Sequence, residues 1–288
     1  MSCRWEQRSE ARVIGTAAVA RRVGQLRARL EAVGDLRPSV EVDALFTELV
    51  GLCCSTPPAL AQAAMAGLRE EAPVLRRLCA SGESELETYW AERILAAADP
   101  AAELARFPYL RNYRDLVRME LGTVMALGNG APKRVAVLGS GALPLTGLVL
   151  AADYGAQVMH VDRDLASLAL GDGVTSALGL TRNVSGVLAD LEQPECAETL
   201  LAEGIGECDV VVLAALVGAD GTAKREVSRR LAAMVRPDAL LLARSAVLMR
   251  SLLYPEVRAE DLQDVRVELE VHPYTDVVNS VLVGRPSA

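Results

Sequence analysis

The feature that most constrains the fold of this 288-residue chain is a regular alternation of apolar runs and longer spacers in its C-terminal half. Five continuous apolar runs occupy residues 134–139, 157–162, 184–190, 208–216 and 238–245, and each spacer between them is long enough for a helix. Continuous apolar runs are typical of strands that are buried on both faces of a sheet. Strands that alternate with helices predict βαβ units and a parallel sheet.

The end of the chain follows a different pattern. The runs at 266–273 and 276–284 lie close together, without room for a helix between them. They predict a hairpin that adds an antiparallel strand to the sheet. A parallel sheet completed by such a hairpin resembles the class I methyltransferase fold more than a dehydrogenase fold. The predicted fold class is therefore α/β, a Rossmann-like class I methyltransferase fold with an N-terminal helical domain.

The first part of the chain reads as helices, because Ala, Leu, Arg and Glu dominate and apolar residues recur at spacings of three and four. The string LGNGAPK at 127–133 interrupts this pattern and predicts a domain junction. We expect a helical domain over 1–128 and a Rossmann-like domain over 129–288. The predicted helices cover 17–32, 42–53, 58–78 as one or two helices, 84–98, 100–107 and 110–126.

Composition and charge argue against several classes of function. The formal charge of -8 argues against a nucleic-acid or anionic-membrane partner, since both need a basic face. The charged N-terminus lacks the apolar region of a secretory signal, so we expect a cytoplasmic protein with reduced thiols. The six cysteines form no CxxC pair and only two histidines are present, so no metal site is predicted.

The first turn after a predicted strand carries the string GSGALPLTG at 139–147. Gly139 and Gly141 allow a tight turn and a close approach to a ligand at the start of the next helix. Pro144 stands where a dinucleotide-binding motif needs its third glycine. Asp162, at the end of the second run, can accept hydrogen bonds from both ribose hydroxyls, and Asp190 can meet an adenine amino group. These residues predict an adenosyl ligand, and NAD stays open from the glycines and Asp162 alone.

Three strings together carry a family resemblance: GSGALPLTG, YLRNYRDLVRMELG at 109–122, and ARSAVLMRSLLYPEV at 243–257. With them, the chain resembles the nicotianamine synthase family over roughly residues 75–284. This family includes archaeal and plant nicotianamine synthases and bacterial histidine aminobutanoyltransferases of opine metallophore biosynthesis. The resemblance implies transfer of the 3-amino-3-carboxypropyl group of S-adenosylmethionine, which serves as a co-substrate and leaves as methylthioadenosine.

The resemblance also implies the catalytic residues. The family's glutamate falls on Glu87 in ELETYWAERI, and its tyrosine falls on Tyr113 in NYRDL. An amine nucleophile is mostly protonated near neutral pH, so Glu87 would accept its proton and Tyr113 would orient or assist it. Two structural alternatives stay open. Ser84 and Glu87 match a helix-start capping box, and Tyr113 could pack at a domain interface.

The expected ligand contacts complete the predicted site. Arg244 lies at the end of the fifth predicted strand, and Arg250 and Tyr254 follow it. A guanidinium there could bind the carboxylate of the cofactor tail or of an amino acid acceptor. A surface location is the alternative for each arginine. Asn279 and Ser280 match an Asn-plus-hydroxyl pair in the family. The predicted cofactor-binding residues are Gly139, Ser140, Gly141, Leu143, Pro144, Thr146, Asp162, Asp190 and Ala214.

Three functional hypotheses remain. The first is an aminocarboxypropyltransferase of metallophore biosynthesis; a histidine acceptor is favoured, and nicotianamine synthesis by repeated transfers is the alternative. The second is a small-molecule S-adenosylmethionine-dependent methyltransferase. The third is a non-catalytic adenosyl-binding or NAD-sensing protein. The expected partner is a small-molecule amine, and the apolar, Ala-rich N-terminal helices could pair in a homodimer.

Overall fold

The computed structural model describes the backbone of residues 2–128, 130–218 and 220–287, and their side chains from Gly15 onward. Within these residues, the chain before the sheet is helical. Its helices are α1 Ser2–Val33, α2 Val40–Ser55, α3 Pro58–Met65, α4 Glu71–Ala96, α5 Pro100–Leu104 and α6 Leu110–Ala126. Ser39 caps α2 and Asp99 caps α5, each by accepting a hydrogen bond from a backbone N–H of the first turn. The predicted 58–78 segment thus resolves into α3 and the start of α4.

α4 differs from the sequence prediction, which placed a helix start at Ser84. The helix begins at Glu71 and continues without interruption through Gly82. Gly82 is needed for close packing, because a Cβ atom there would overlap the ring of Phe46 on α2. Ser84 and Glu87 therefore lie within a helix, where backbone N–H groups are already bonded to carbonyls one turn earlier. The capping-box interpretation of Glu87 is wrong.

The second half of the chain forms a seven-stranded sheet in the order β3-β2-β1-β4-β5-β7-β6. β1 to β5 are parallel, and β7 runs antiparallel to both β5 and β6. This topology confirms the predicted Rossmann-like class I methyltransferase fold. The elements are β1 Arg134–Leu138, α7 Leu145–Tyr154, β2 Gln157–Asp162, α8 Leu165–Ala177, β3 Val184–Leu188, α9 Cys196–Ala202, β4 Val210–Leu213, α10 Gly221–Met234, β5 Leu240–Ser245, β6 Val265–Val271 and β7 Ser280–Pro286.

The largest differences between the strands and their apolar runs are at β4 and β7. β4 ends at Leu213, whereas its run continues to residue 216, and β7 begins at Ser280, whereas its run begins at 276. In both places the apolar residues leave the sheet as a loop. Ala214 to Val217 and Asn279 then line a cavity instead of continuing a strand. Hydrophobicity alone could not distinguish a strand from a loop that lines a cavity.

The helices pack in two places. α4 and α6 share one hydrophobic core with the sheet and α7, through residues such as Trp90, Ile94, Val117 and Val135. α1 to α3 form another core with the 3-10 turn at Leu248–Leu252. The change from helices to sheet falls at 127–133, and the division into domains at 1–128 and 129–288 stays a prediction. Because α4 and α6 pack directly against the sheet units, their side chains reach the carboxyl edge of the strands.

In the described part of the chain, no single helix is long and apolar enough to cross a membrane. Val40–Ser55 and Pro58–Met65 pass such a test only when they are joined, and they are bent by 113° at their break.

Candidate active site

A cavity of about 460 Å³ lies at the carboxyl ends of β1 to β4 and is closed on one side by α4. Ligands of open α/β sheets bind at this edge. Thirteen of the fourteen predicted site residues line the cavity, and Arg250 is the exception. They are Glu87, Tyr113, Gly139, Ser140, Gly141, Leu143, Pro144, Thr146, Asp162, Asp190, Ala214, Arg244 and Tyr254.

The glycine loop, residues 139–147, contacts two sides of this cavity. Gly139 approaches the loop after β4, and Gly141 approaches α4. Gly139 and Gly141 have φ values of +79° and +68°, a conformation that residues with a side chain rarely adopt. A Cβ atom at Gly139 would overlap Val217, and one at Gly141 would overlap the Glu87 carboxylate. The two glycines are therefore required by backbone conformation and by close approach.

Two aspartates follow the neighbouring strands. Asp162, at the end of β2, accepts hydrogen bonds from the backbone N–H of Gly141 at 2.8 Å and of Asp164 at 3.0 Å. The first bond ties the end of β2 to the glycine loop. Asp190 lies just after β3 and accepts a bond from the N–H of Glu192 at 3.0 Å. Both carboxylates line the cavity.

Glu87 projects from α4 and is enclosed by protein, while part of its surface stays open to the cavity. Burial raises the pKa of Glu87 well above its ordinary value, and the charges of Glu83 and Asp162 raise it further. The backbone N–H groups of Ala142 and Leu143 oppose this rise. A carboxyl group with a raised pKa beside the glycine loop is suited to accept a proton near neutral pH.

Glu83 lies one turn before Glu87 on the same face of α4 and lines the same cavity. The Tyr254 hydroxyl donates to Glu83 Oε1 at 3.0 Å. Burial raises the pKa of Glu83, whereas the hydroxyl of Tyr254, the charge of Arg244 and the hydroxyl of Tyr113 oppose the rise. The sequence analysis did not select Glu83 as a site residue. Its spacing of four from Glu87 was the available signal.

The two tyrosines of the site remain protonated. Burial, followed by the charges of Glu83 and Glu87, raises the pKa of Tyr113 well above its ordinary value. Burial and the charge of Glu83 do the same for Tyr254. Both hydroxyls are therefore hydrogen-bond donors, and Tyr113 lines the cavity as well as packing between α6 and the sheet.

Arg244 lines the cavity but already has a carboxylate partner. Its Nε and Nη2 atoms donate to the two oxygens of Glu120 at 2.7 and 3.1 Å, and Nη2 also donates to Thr146 Oγ1 at 2.8 Å. Both members of the ion pair are almost fully buried, with side-chain exposures of 8% and 6%. The sequence prediction missed Glu120, because nothing local connects α6 to β5 across 124 positions.

Arg250 is placed differently from its prediction as a substrate-binding residue. Its guanidinium is buried and donates to the carbonyl oxygens of Pro273 at 2.9 Å and Thr275 at 2.6 Å. These bonds hold the loop between β6 and β7, which leads to Asn279 in the cavity wall. Arg250 therefore does not line the cavity, because the 3-10 turn that carries it directs it to that loop.

Among the residues that the structure describes, no group of three or more His, Cys, Asp or Glu side chains could hold a metal ion. His272 donates to or accepts from the Ser280 hydroxyl at 2.9 Å, at the base of the β6–β7 hairpin.

The sheet topology and a cavity at its switch point define a Rossmann-like protein of the class I methyltransferase type. Glu83 and Glu87 of α4 line one side of this cavity, which we call the acidic wall. The nicotianamine synthase protein family model matches residues 12–288. The chain therefore belongs to the nicotianamine synthase family, as its sequence predicted.

Relatives and solved structures agree with this assignment. Nicotianamine synthase 2 of Oryza sativa subsp. japonica is 37% identical over 96% of this chain and 85% of its own length. Nicotianamine synthase 1 of Hordeum vulgare is 34% identical over 93% of this chain and 82% of its own length. The crystal structure of MtNAS in complex with MTA and tNA superposes with a TM-score of 0.79 at 22% identity, covering 93% of this chain and 97% of that one. At that identity the superposition concerns the fold.

Proposed function

We propose that this protein transfers the 3-amino-3-carboxypropyl group of S-adenosylmethionine to an amine and releases methylthioadenosine, in a nicotianamine synthase reaction. It is an S-adenosylmethionine-dependent aminocarboxypropyltransferase. The observation that carries the proposal is the packing of the Glu87 carboxylate directly against Gly141 of the glycine loop, with Tyr113 in the same cavity wall. An adenosyl group on that loop would have its sulfonium end beside a proton acceptor.

The reaction needs an acceptor amine held in line with the correct carbon of the sulfonium, and a base that takes the proton from that amine. The amine nitrogen attacks the tail carbon next to sulfur, the carbon–sulfur bond breaks, and its electron pair stays on sulfur. Because three carbons of a sulfonium can be attacked, the one in line with the nucleophile decides the product. Glu87 takes the proton that the amine loses, and the hydroxyl of Tyr113 positions the amine or the carboxylate.

The glycine loop and the two aspartates are assigned to the cofactor. Backbone N–H groups at the start of α7 approach the ligand, Asp162 binds the ribose hydroxyls, and Asp190 meets the adenine. Leu143, Pro144 and Ala214 supply apolar contacts. These roles rest on the shared cavity and on the fold.

The predicted carboxylate-binding role of Arg244 is less direct than the sequence suggested. Glu120 neutralises much of its charge, and the Thr146 hydroxyl accepts a hydrogen bond from its guanidinium. We assign Arg244 to the positioning of Thr146 in the cavity wall. A ligand carboxylate that binds Arg244 would share its guanidinium with Glu120. Tyr254 orients Glu83, and Arg250 is assigned to the loop before Asn279 rather than to the substrate.

The acceptor is the finer part of the proposal. The sequence analysis favoured histidine, as in opine metallophore biosynthesis. The relatives with 34–37% identity are named nicotianamine synthases, which supports repeated transfers from S-adenosylmethionine alone. No observation in the described cavity favours a histidine acceptor or a methyl transfer. A cytoplasmic location and a homodimer stay predictions of the sequence analysis.

Mass spectrometry of the products tests this function. The protein is incubated with S-adenosylmethionine alone, and separately with a panel of amino acids that includes both histidine enantiomers. We expect methylthioadenosine and a product of three aminobutyrate units without any added acceptor. Histidine heavier by one aminobutyrate unit would instead identify histidine as the acceptor and refute nicotianamine synthesis. S-adenosylhomocysteine and a methylated product would refute the transferase.

A further inference from the structure

A chain of three polar side chains lies beneath the glycine loop and outside the acidic wall of the cavity. Ser140 Oγ is 3.2 Å from Nδ1 of His160, and Nε2 of the same ring is 2.9 Å from Oδ1 of Asp172. The three residues come from the glycine loop, β2 and α8. His160 is fully buried, whereas the side chain of Asp172 is 51% exposed. We call this set the Ser140–His160–Asp172 chain.

The surrounding backbone leaves room for this arrangement. A Cβ atom at Gly186 on β3 would overlap Oδ1 of Asp172, and one at Gly171 would lie 3.3 Å from the His160 ring. Larger residues at these two positions would push the carboxylate or the ring aside. The close approach of three elements around one imidazole therefore depends on both glycines.

The hydrogen-bond partners decide which ring nitrogen carries the proton. Burial lowers the pKa of His160, with the charges of Asp172 and Asp162 opposing it, so the ring is neutral near pH 7. A neutral imidazole has one donor and one acceptor nitrogen, and a carboxylate only accepts. The proton must therefore lie on Nε2, facing Asp172, and Nδ1 must accept the hydroxyl proton of Ser140.

This assignment settles what Ser140 can offer to a ligand. Ser140 lines the cavity, and its only hydroxyl proton is directed at the ring beneath it. Two lone pairs remain on Oγ. A serine whose proton is held in this way is an acceptor toward the cavity and cannot act as a donor there. Partners behind a ligand-binding group commonly fix its orientation in this manner.

We infer that His160 and Asp172 are positioning residues that hold Ser140 as a hydrogen-bond acceptor for a donor group of the adenosyl cofactor. The inference rests on the proposed function, because that function supplies the cofactor. The donor is either a ribose hydroxyl or the ammonium group of the aminocarboxypropyl tail. S-adenosylmethionine contains both groups, whereas methylthioadenosine contains only the ribose, so the two ligands distinguish the sources.

The first measurement is the histidine tautomer in the wild-type protein by ¹⁵N NMR. The sequence has two histidines, so the spectrum is simple, and Ser140→Ala identifies the one that responds to the hydroxyl. We expect protonated Nε2 and unprotonated Nδ1 for that histidine. Asp172→Asn, which keeps an acceptor oxygen, retains this pattern, and Asp172→Ala shifts it toward a mixture. A proton on Nδ1 in the wild-type protein would overturn the inference.

The second measurement is calorimetric binding of S-adenosylmethionine and of methylthioadenosine. Ser140→Ala weakens the affected ligand about 10-fold, as expected for one lost hydrogen bond, and Asp172→Ala weakens it about threefold. Loss for both ligands assigns the ribose, and loss for S-adenosylmethionine alone assigns the ammonium. Asp238→Ala is the matched control, because Asp238 is 75% exposed and precedes the amino end of β5, at the edge of the sheet opposite the cavity; this variant binds both ligands as the wild type does.

The outcomes separate the two proposals. Wild-type protein that binds neither ligand refutes the proposed function. Wild-type binding that Ser140→Ala leaves unchanged refutes the positioning inference and leaves the proposed function standing. Unchanged melting temperatures for the variants show that a loss of binding does not come from unfolding.

Discussion

Gly141 is the point at which the glycine loop meets the proposed base, and its replacement with alanine tests that geometry. The residue has a φ of +68°, and a Cβ atom on it would overlap Oε2 of Glu87. The left-handed conformation costs a residue with a side chain about 1–2 kcal/mol. Relief of the overlap requires either the loop or the carboxylate to move by more than about 1 Å to restore van der Waals distance.

A displacement of about 1 Å at a reacting group costs about 100-fold in rate. We therefore expect Gly141→Ala to lower the free energy of unfolding by about 1–2 kcal/mol from conformation alone and to lower kcat by about 100-fold. The first quantity is measured by chemical unfolding followed by circular dichroism. The second is measured by the rate of methylthioadenosine release at saturating S-adenosylmethionine.

Gly155→Ala is the control for backbone strain. Gly155 ends α7 with a φ of +70°, and a Cβ atom there would have no heavy atom within 4 Å. This variant should lose similar stability and keep wild-type kcat. Equal kcat in the two alanine variants would refute the reasoning, because strain without the Glu87 overlap would then have the same effect.

Three further predictions follow from buried groups. Glu87→Gln should lower kcat by about 10²–10⁴-fold with little change in cofactor affinity. In the wild type, kcat/KM should rise with pH through the raised pKa of Glu87. A wild-type-like pH profile in the variant would exclude Glu87 as the base. Arg244→Met should cost about 3–5 kcal/mol in urea unfolding by leaving Glu120 buried without a partner, and the double variant with Glu120→Leu should recover most of it; an additive double variant would contradict the pairing. Burial lowers the pKa of Lys224 to about 8, so the unfolded chain binds more protons than the folded protein between pH 8 and about 10.4. The contribution of Lys224 to stability should therefore increase with pH across that window. Lys224→Met should remove this increase from the free energy of unfolding, and an unchanged pH profile would contradict the prediction.

Sequence reasoning succeeded where the signal is local. The apolar runs predicted β1 to β5, and the final pair of runs predicted the β6–β7 hairpin, because strand burial is written in continuous hydrophobicity. The glycine loop was recognised because a tight turn before a helix needs particular residues at fixed spacing. The end of β4 was missed, since apolar residues 214–216 line the cavity and do not continue the sheet.

The site was only partly predictable, because its acidic wall comes from a distant helix. Glu87 was identified through family resemblance, and the residues alone left a helix-start role open. The length of α4 excluded that role, since a helix that begins at Glu71 places Glu87 in its interior. Arg244 and Arg250 both lie at or just after the end of the fifth predicted strand. Arg244 nevertheless lines the cavity, whereas Arg250 bonds to the loop after β6.

By itself the amino-acid sequence determined the order of helices and strands, the position of the glycine loop, and the family. These depend on patterns that repeat within one element or one turn, where neighbouring residues see the same environment. Only the tertiary structure decided that Glu87 packs against the glycine loop, that Glu120 neutralises Arg244, and that His160 links Ser140 to Asp172. Those contacts join residues that are far apart in the chain, and packing of whole elements against one another sets them.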